Sequence, residues 1–136
     1  MAHPLMFDPD DPLLHRIREI AMALPGAAEK VSHGRPAFFT MKVFVYYGGS
    51  IKVAGEYEQH PASLVVRPDE GEVLALAEED RCYRPAYLGP SGWIGVDLTD
   101  DTDWREVREL IEASYRETAG PRLVAELDAR SGKRRQ

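Results

Sequence analysis

Three β-type runs follow one another in the first half of the chain with only a few residues between them. Residues 43–47 are β-branched or aromatic throughout, residues 51–54 alternate in polarity, and residues 63–67 form a third run. Gly48 and Gly49, between the first two runs, predict a hairpin turn. Parallel neighbours need a connection of about a dozen residues or more, so connections this short favour antiparallel pairing in a meander.

Apolar residues at helical spacing occur on both sides of this region. Asp11 and Pro12 supply an N-cap and a first helical residue for residues 13–24, and Asp103 opens a capping box for a helix that ends before Gly120. The other predicted elements are a helix with an acidic start that ends near residue 80, a strand at 93–98, a short helix at 123–129 and a flexible tail at 130–136.

This order of elements predicts an α+β fold, with a mostly antiparallel sheet, helices packed on one face and the other face exposed to solvent. A length of 136 residues fits a single domain, residues 1–136. The first residues lack the cationic start and apolar run of a secretory signal, and no run of about 18 apolar residues is present. Together with the single cysteine, Cys82, these features predict a cytoplasmic protein without a membrane partner.

The charge is unevenly distributed along the chain. The net charge is -6, but residues 30–67 carry five Lys or Arg against two Glu, a net +3, and the remaining residues carry a net -9. Bulk attraction to nucleic acid is therefore excluded, whereas a local cationic surface could still contact phosphates. Solvent-facing strand positions that carry lysine or arginine without any binding role explain the same pattern equally well.

No catalytic or cofactor motif is found. The four histidines and Cys82 have no metal-ligand spacing, and the carboxylates near residue 100 crowd an exposed connection. Neither Gly-containing turn precedes a helix that could hold a phosphate. His60, which precedes Pro61, is predicted to lie in an exposed loop. These observations predict a protein that is not an enzyme and needs no cofactor or metal.

The residues opposite the apolar rows of the strands include cations and one tryptophan. If Ile51 and Val66 face the core, Lys52 and Arg67 face the other way, and Trp93 is likewise opposite Ile94. Such a face could pair with phosphates and stack on bases. The alternative is that Trp93 is covered by the irregular segment at residues 81–91.

Five short segments together resemble the MmcQ/YjbR family of small bacterial proteins over about residues 10–119: HGRPAF at 33–38, RPAYLG at 84–89, GW at 92–93, DW at 103–104 and SYR at 114–116. The resemblance implies a frataxin-type (CyaY-like) fold, also called a double-wing arrangement, and a role in DNA binding. Family members often have a lysine between the Leu-Gly pair and the tryptophan, where this chain has Pro90 and Ser91. A basic contact is not expected at that position.

The HGRPAFF segment, residues 33–39, is predicted to form a turn shaped by Gly34 and Pro36, with one of the two phenylalanines anchoring a strand. Arg35 either contacts a phosphate or pairs with a carboxylate such as that of Glu29. The DNA-binding hypothesis has these candidate residues: His33, Arg35, Lys42, Lys52, Arg67 and Arg84.

Two other functions compete with DNA binding. In the first, the protein binds a small planar ligand in an aromatic pocket between the sheet and residues 81–91, lined by Tyr46, Tyr83, Tyr87 and Trp93. In the second, an exposed sheet edge or aromatic face pairs with another chain. The oligomeric state does not follow from the sequence.

Overall fold

The computed structural model describes residues 6–135 and the side chains of residues 6–130. The helices are α1 (Pro12–Met22), α2 (Glu70–Leu76), α3 (Trp104–Thr118) and α4 (Pro121–Arg135). The strands are β1 (Ala28–Ser32), β2 (Arg35–Phe39), β3 (Val43–Val53), β4 (Glu56–Val66), β5 (Cys82–Tyr83) and β6 (Ile94–Asp97). A single 3-10 turn, Gly89–Ser91, precedes β6.

All six strands form one sheet in the order β1-β2-β3-β4-β6-β5, and every neighbouring pair is antiparallel. The predicted α+β class and antiparallel sheet are therefore confirmed. The two-residue strand β5 was not predicted, because a pair of residues between Pro- and Gly-marked turns carries no alternation to detect.

Aspartate side chains cap the first three helices, of which the caps at Asp11 and Asp103 were predicted. Asp11 accepts a hydrogen bond from Leu13 N at 2.9 Å and Asp69 accepts one from Glu72 N at 3.0 Å. Asp103 accepts from Arg105 N at 3.0 Å and not from Glu106 N, so it forms a simple cap and not the predicted capping box. The last helix, α4, extends to Arg135, six residues beyond its predicted end at residue 129. Gln136 and the side chains of residues 131–136 lie outside the described part of the predicted tail.

The predicted turn at Gly48 and Gly49 is wrong. Both glycines lie inside β3, and the chain reverses at Ala54 and Gly55, which have positive φ angles of 52° and 84°. The β3–β4 register shifts between Tyr47 and Gly49, so the glycine pair marks a bulge within one long hairpin. A Gly-Gly pair serves a turn or a bulge equally well, because both need residues that tolerate unusual φ angles.

The β1–β2 connection is a two-residue turn. Ser32 pairs with Arg35, and His33 and Gly34 between them have φ angles of 53° and 83°. Positive φ at both central positions is the geometry of a type I′ hairpin turn. Pro36 lies within β2 and is buried, so it does not shape the turn as predicted, and Arg35 is the first residue of the strand.

The main core lies between the sheet and the helices. Phe38, Phe44 and Tyr47 from β2 and β3 are fully or almost fully buried against α1 and α3, and Phe44 contacts the Tyr115 ring edge-on at 5.3 Å. Phe38 is thus the anchoring phenylalanine of the 33–39 segment, while Phe39 is half-buried. Residues of all four helices belong to this one cluster, which confirms that the helices cover one face.

The opposite face is not fully exposed to solvent, contrary to the prediction. A second cluster there consists of buried Val65, Tyr83 and Trp93, with Tyr46 and Leu88 packed against it. The segment between β5 and β6 folds back over this face, and Ala86 N donates to Ser50 O at 2.7 Å. We call residues 84–92 the covering segment. Between it and the sheet a cavity remains.

Candidate ligand-binding site

The cavity lies on the sheet face opposite the helices and has a volume of about 500 Å³. Its walls come from the β1–β2 turn, the middle of β3 and β4, the covering segment and Met6, whose N–H donates to Gly34 O at 2.8 Å. The lining residues are Met6, Ser32, His33, Arg35, Tyr46, Gly48, Gly49, Ser50, Gln59, Val65, Pro85, Ala86, Tyr87 and Leu88.

The glycine bulge forms the floor of this cavity. A Cβ atom on Gly48 would lie 2.4 Å from Arg35 Nη1, and one on Gly49 would lie 2.5 Å from the Tyr83 hydroxyl oxygen. Gly48 also has a φ of 88°, which favours glycine. Glycine at these two positions therefore leaves room for the side chains of Arg35 and Tyr83, which a larger residue in the bulge would displace.

Arg35 is the main polar feature of the cavity. Its guanidinium donates to the Gln59 side-chain oxygen, and no ion pair among the described side chains, residues 6–130, involves it. The alternative pairing with Glu29 is wrong, because Glu29 accepts from Arg18 at 2.7 and 3.0 Å. Desolvation by burial lowers the pKa of Arg35, an effect that the nearby Tyr83 hydroxyl only partly opposes.

The four predicted aromatic residues are grouped around the cavity in two layers. Tyr46 and Tyr87 line it directly. Trp93 is 8% exposed and packs behind Tyr46 at a ring-centroid distance of 5.4 Å, so it is covered and does not form an open stacking surface. Tyr83 lies under the floor, where burial raises its pKa to about 12.

Tyr83 is held by a polar network that the sequence did not reveal. Its hydroxyl is 2.7 Å from Ser63 Oγ, and its ring stacks on the His60 ring at a centroid distance of 4.1 Å. His60 Nδ1 in turn contacts Asp97 Oδ1 at 2.7 Å. His60 therefore belongs to β4 and is largely buried, so its predicted place in an exposed loop is wrong.

Tyr83 also depends on Gly95 in the neighbouring strand β6. A Cβ atom on Gly95 would lie 2.2 Å from Tyr83 Cζ, so the phenol ring lies flat against that backbone. Glycine in a strand often marks such a close approach. The glycine inside the strand pattern WIGVDL, residues 93–98, indicates such a close approach. Only the structure shows that the ring packed against it is that of Tyr83.

The other cationic candidates lie away from the cavity. Lys42 is exposed in the loop after β2, at the opposite end of that strand from Arg35. The register of β3 shifts at the bulge, and Ile51 packs against the second cluster and not against the main core. Lys52 is exposed, and its Nζ lies 5.7 Å from the centre of the Tyr57 ring, which stacks on Tyr87. Neither Lys52 nor Tyr57 lines the cavity.

Arg67 and Arg84 share a separate cleft of about 390 Å³ with carboxylates. Arg67 Nε donates to Ser91 O at 2.9 Å, and Asp69, Glu70 and Glu117 line the same cleft. The six residues proposed for DNA contact are therefore divided among four places: His33 and Arg35 line the cavity, Arg67 and Arg84 line the cleft, and Lys42 and Lys52 line neither.

No cluster of three or more His, Cys, Asp or Glu side chains that could hold a metal ion occurs among residues 6–130. Within residues 6–135, no helix combines the length and the apolar character needed to cross a bilayer.

Comparison with known proteins identifies the family. The family model described as YjbR matches residues 22–117, which is more than half of the chain. The chain belongs to the YjbR family. This confirms the resemblance that the HGRPAF, RPAYLG and SYR segments indicate, and the match includes most of the cavity lining of this YjbR protein.

A solved structure supports the fold of this YjbR protein. It is similar to the crystal structure of the Deinococcus radiodurans protein DR2400, which has a DUF419 domain, with a TM-score of 0.54 and 15% sequence identity over 75% of each chain. At this identity the likeness shows the fold alone. No curated protein matches the chain in sequence.

Proposed function

We propose that this YjbR protein is a non-enzymatic binding protein that takes a small planar ligand into the cavity between the sheet and the covering segment. The single observation that carries the proposal is the cavity itself, with a volume of about 500 Å³ and walls from five separate parts of the fold. Small-molecule sites are concave, mostly apolar and of about 300–1,000 Å³.

The walls suit a flat apolar body. Tyr46 presents an aromatic ring that is fixed from behind by Trp93, and Val65 and Leu88 add aliphatic surface from the second cluster. Tyr87 lies at the mouth with 82% of its surface exposed, and its hydroxyl contacts that of Tyr57. A ligand that replaced water on these walls would gain a binding free energy of about 25 cal/mol for each Å² of apolar surface that it buries.

A thermal-melting screen against planar aromatic compounds, both neutral and anionic, tests the proposal. A ligand that binds only the folded protein raises the unfolding free energy by about 2.7 kcal/mol at a concentration one hundred times its Kd. We expect several compounds to raise the Tm in a concentration-dependent manner. A Tm that stays constant across the whole screen would refute ligand binding in the cavity.

The fluorescence of Trp93 shows where such a ligand binds. Trp93 adjoins the cavity wall, whereas Trp104 lies on the helix side, where the Arg16 guanidinium carbon is 4.2 Å from the centre of its ring. With a ligand that does not absorb at the excitation wavelength, Trp104→Phe should keep the ligand-induced change and Trp93→Phe should lose it. The opposite assignment would place the ligand elsewhere.

DNA binding through a basic sheet face remains a prediction, now with a weaker basis. It requires one continuous cationic surface, and His33 and Arg35 are separated from Lys42, Lys52 and the Arg67 cleft. If DNA is nevertheless bound, log K should fall with log salt by about 0.9 for each phosphate neutralised, and Arg35→Ala should reduce that slope by about one unit. A titration without binding at about 50 mM salt would exclude it.

A further inference from the structure

We propose that the ligand of this cavity carries a single carboxylate, which Arg35 binds, while its planar body packs against Tyr46, Val65 and Leu88. This inference rests on the proposed ligand-binding function and adds the chemical class of the ligand. It follows from the position of one guanidinium in a cavity whose other described lining residues are mostly apolar and include no Lys, Arg, Asp or Glu.

The guanidinium of Arg35 is fixed and has free donors. Gln59 accepts from Nη2, and the bulge at Gly48 receives Nη1 where a Cβ atom would collide with it. A guanidinium carries five N–H donors in a rigid plane, of which the Gln59 contact uses one. The planar fork matches the two oxygens of a carboxylate, and Arg35 is already held in place before a ligand enters.

No carboxylate among the described side chains, residues 6–130, pairs with Arg35. The ion pairs in that range join other side chains, such as Arg18 with Glu29, and the residues outside it contain no Asp or Glu. The carboxylates nearest to the floor, Asp97 and Glu58, contact the two ring nitrogens of His60 at 2.7 and 3.3 Å. A half-buried cation without a counter-ion is costly, and an anionic ligand would remove that cost.

The residues that line the cavity favour a ligand group with one negative charge over a group with two. Arg35 is the one Lys or Arg among the described residues that line the cavity, and His33 lies at the exposed turn. A phosphate ester carries about 1.5 to 2 charges at neutral pH and three strong acceptor oxygens, which a single guanidinium does not neutralise. A carboxylate has one charge and two acceptor oxygens.

The experiment compares three probes that share one planar skeleton: 2-naphthoate, 2-naphthamide and 2-naphthyl phosphate. Binding to the intact protein is measured by isothermal titration calorimetry. We expect 2-naphthoate to bind at least about tenfold more tightly than 2-naphthamide, a difference of 1.4 kcal/mol, and more tightly than the phosphate. Equal binding of acid and amide would overturn the inference while leaving the proposed function intact, and a preference for the phosphate would overturn the single-carboxylate class.

Two substitutions of Arg35 and a matched control assign the effect to this residue. Arg35→Gln should weaken the binding of 2-naphthoate about tenfold or more and should change the Kd of 2-naphthamide by less than about twofold. Arg35→Lys should recover part of the loss, since it keeps the charge without the fork. Lys42→Gln removes an equal charge from an exposed loop outside the cavity and should change neither probe.

The outcomes separate the two hypotheses. If none of the three probes binds the wild-type protein, the single-carboxylate inference fails, and the melting screen decides separately whether the cavity binds any planar compound. If Arg35→Gln weakens acid and amide equally, Arg35 acts on cavity shape alone and the carboxylate contact is refuted. If Arg35→Gln does not fold, the acid-to-amide ratio of the wild-type protein and the Arg35→Lys titration still decide the question.

Discussion

Substituting Gly49 by alanine tests whether Tyr83 fills the floor beneath the cavity. The new Cβ atom would lie 2.5 Å from the Tyr83 hydroxyl oxygen and 3.0 Å from Val65 Cγ2, well inside the usual contact distance of about 3.5–4.0 Å. Tyr83 is 7% exposed and its ring lies against Gly95, so it cannot move aside freely. The hydroxyl must leave its 2.7 Å contact with Ser63.

The expected cost follows from these contacts. Overpacking costs about 1–3 kcal/mol and the lost hydrogen bond about 1 kcal/mol. Replacing glycine by alanine in a strand returns about 0.5–1 kcal/mol through the reduced entropy of the unfolded chain. Gly49→Ala should therefore lower the free energy of unfolding by roughly 1–3.5 kcal/mol.

Tyr83→Phe removes the colliding atom and supplies the second half of a double-mutant cycle. The substitution alone should cost about 1 kcal/mol, because Ser63 Oγ keeps its bond to His60 O at 2.8 Å. With the hydroxyl gone, the nearest ring atom is Cζ at 3.5 Å, an ordinary contact, and the close contact that remains is Val65 Cγ2 at 3.0 Å. Because a shift of a few tenths of an ångström relieves that contact, Gly49→Ala should then cost about 0–1 kcal/mol. The coupling energy should be about 2 kcal/mol.

Urea denaturation of the four proteins, followed by far-UV circular dichroism, measures this coupling. Gly71→Ala is the matched control, since Gly71 lies in α2, where an added Cβ would meet only Asp69 Oδ1 at 3.3 Å. Its effect should be the same in the Tyr83→Phe background. If Gly49→Ala and Tyr83→Phe are additive within about 0.5 kcal/mol, the hydroxyl does not lie against Gly49 and the described floor is incorrect.

Three further measurements test the surroundings of the cavity and core. Asp11 caps α1 and also accepts a hydrogen bond from the buried Tyr47 hydroxyl. Asp11→Ala should therefore lower the free energy of unfolding, measured by urea denaturation, by about 2–3 kcal/mol. Asp11→Asn keeps an acceptor oxygen and should cost less than about 1 kcal/mol. Burial raises the pKa of Tyr83 from 10.0 to about 12, so as the pH rises the unfolded chain loses this proton before the folded protein does. The free energy of unfolding should therefore fall between pH 10 and 12, and it should fall less steeply in Tyr83→Phe. Equal slopes of stability against pH in the two proteins would contradict the burial of the phenol. Burial raises the pKa of the Cys82 thiol to about 11, so little of the reactive thiolate is present at about pH 8. An aromatic disulfide reagent at that pH should react slowly with the native protein and rapidly with the protein unfolded in urea. Equal rates would contradict the burial of Cys82.

The sequence predicted those elements that local chemistry determines. The caps at Asp11 and Asp103, the acidic start of α2 and the short strand connections were sufficient for three helices and an antiparallel sheet. The aromatic pocket hypothesis proposed Tyr46 and Tyr87 for a pocket between the sheet and residues 81–91, and both side chains line the cavity found there.

The sequence did not predict features that depend on backbone geometry within a strand. Gly48 and Gly49 form a bulge instead of a turn, and Ile51 packs against the second cluster and not against the main core. The Arg35–Gln59 and His60–Asp97 contacts join residues 24 and 37 positions apart, and no spacing rule connects them.

Amide chemical shifts during a titration with 2-naphthoate test most directly whether the cavity of this YjbR protein is its binding site. We expect saturable shifts in ¹H–¹⁵N spectra to concentrate at residues 32–35, 46–50 and 86–88, which surround the cavity, with those near Arg35 absent from the 2-naphthamide titration. Shifts confined to α1 and α3, or to the Arg67 cleft, would contradict a ligand site between the sheet and the covering segment.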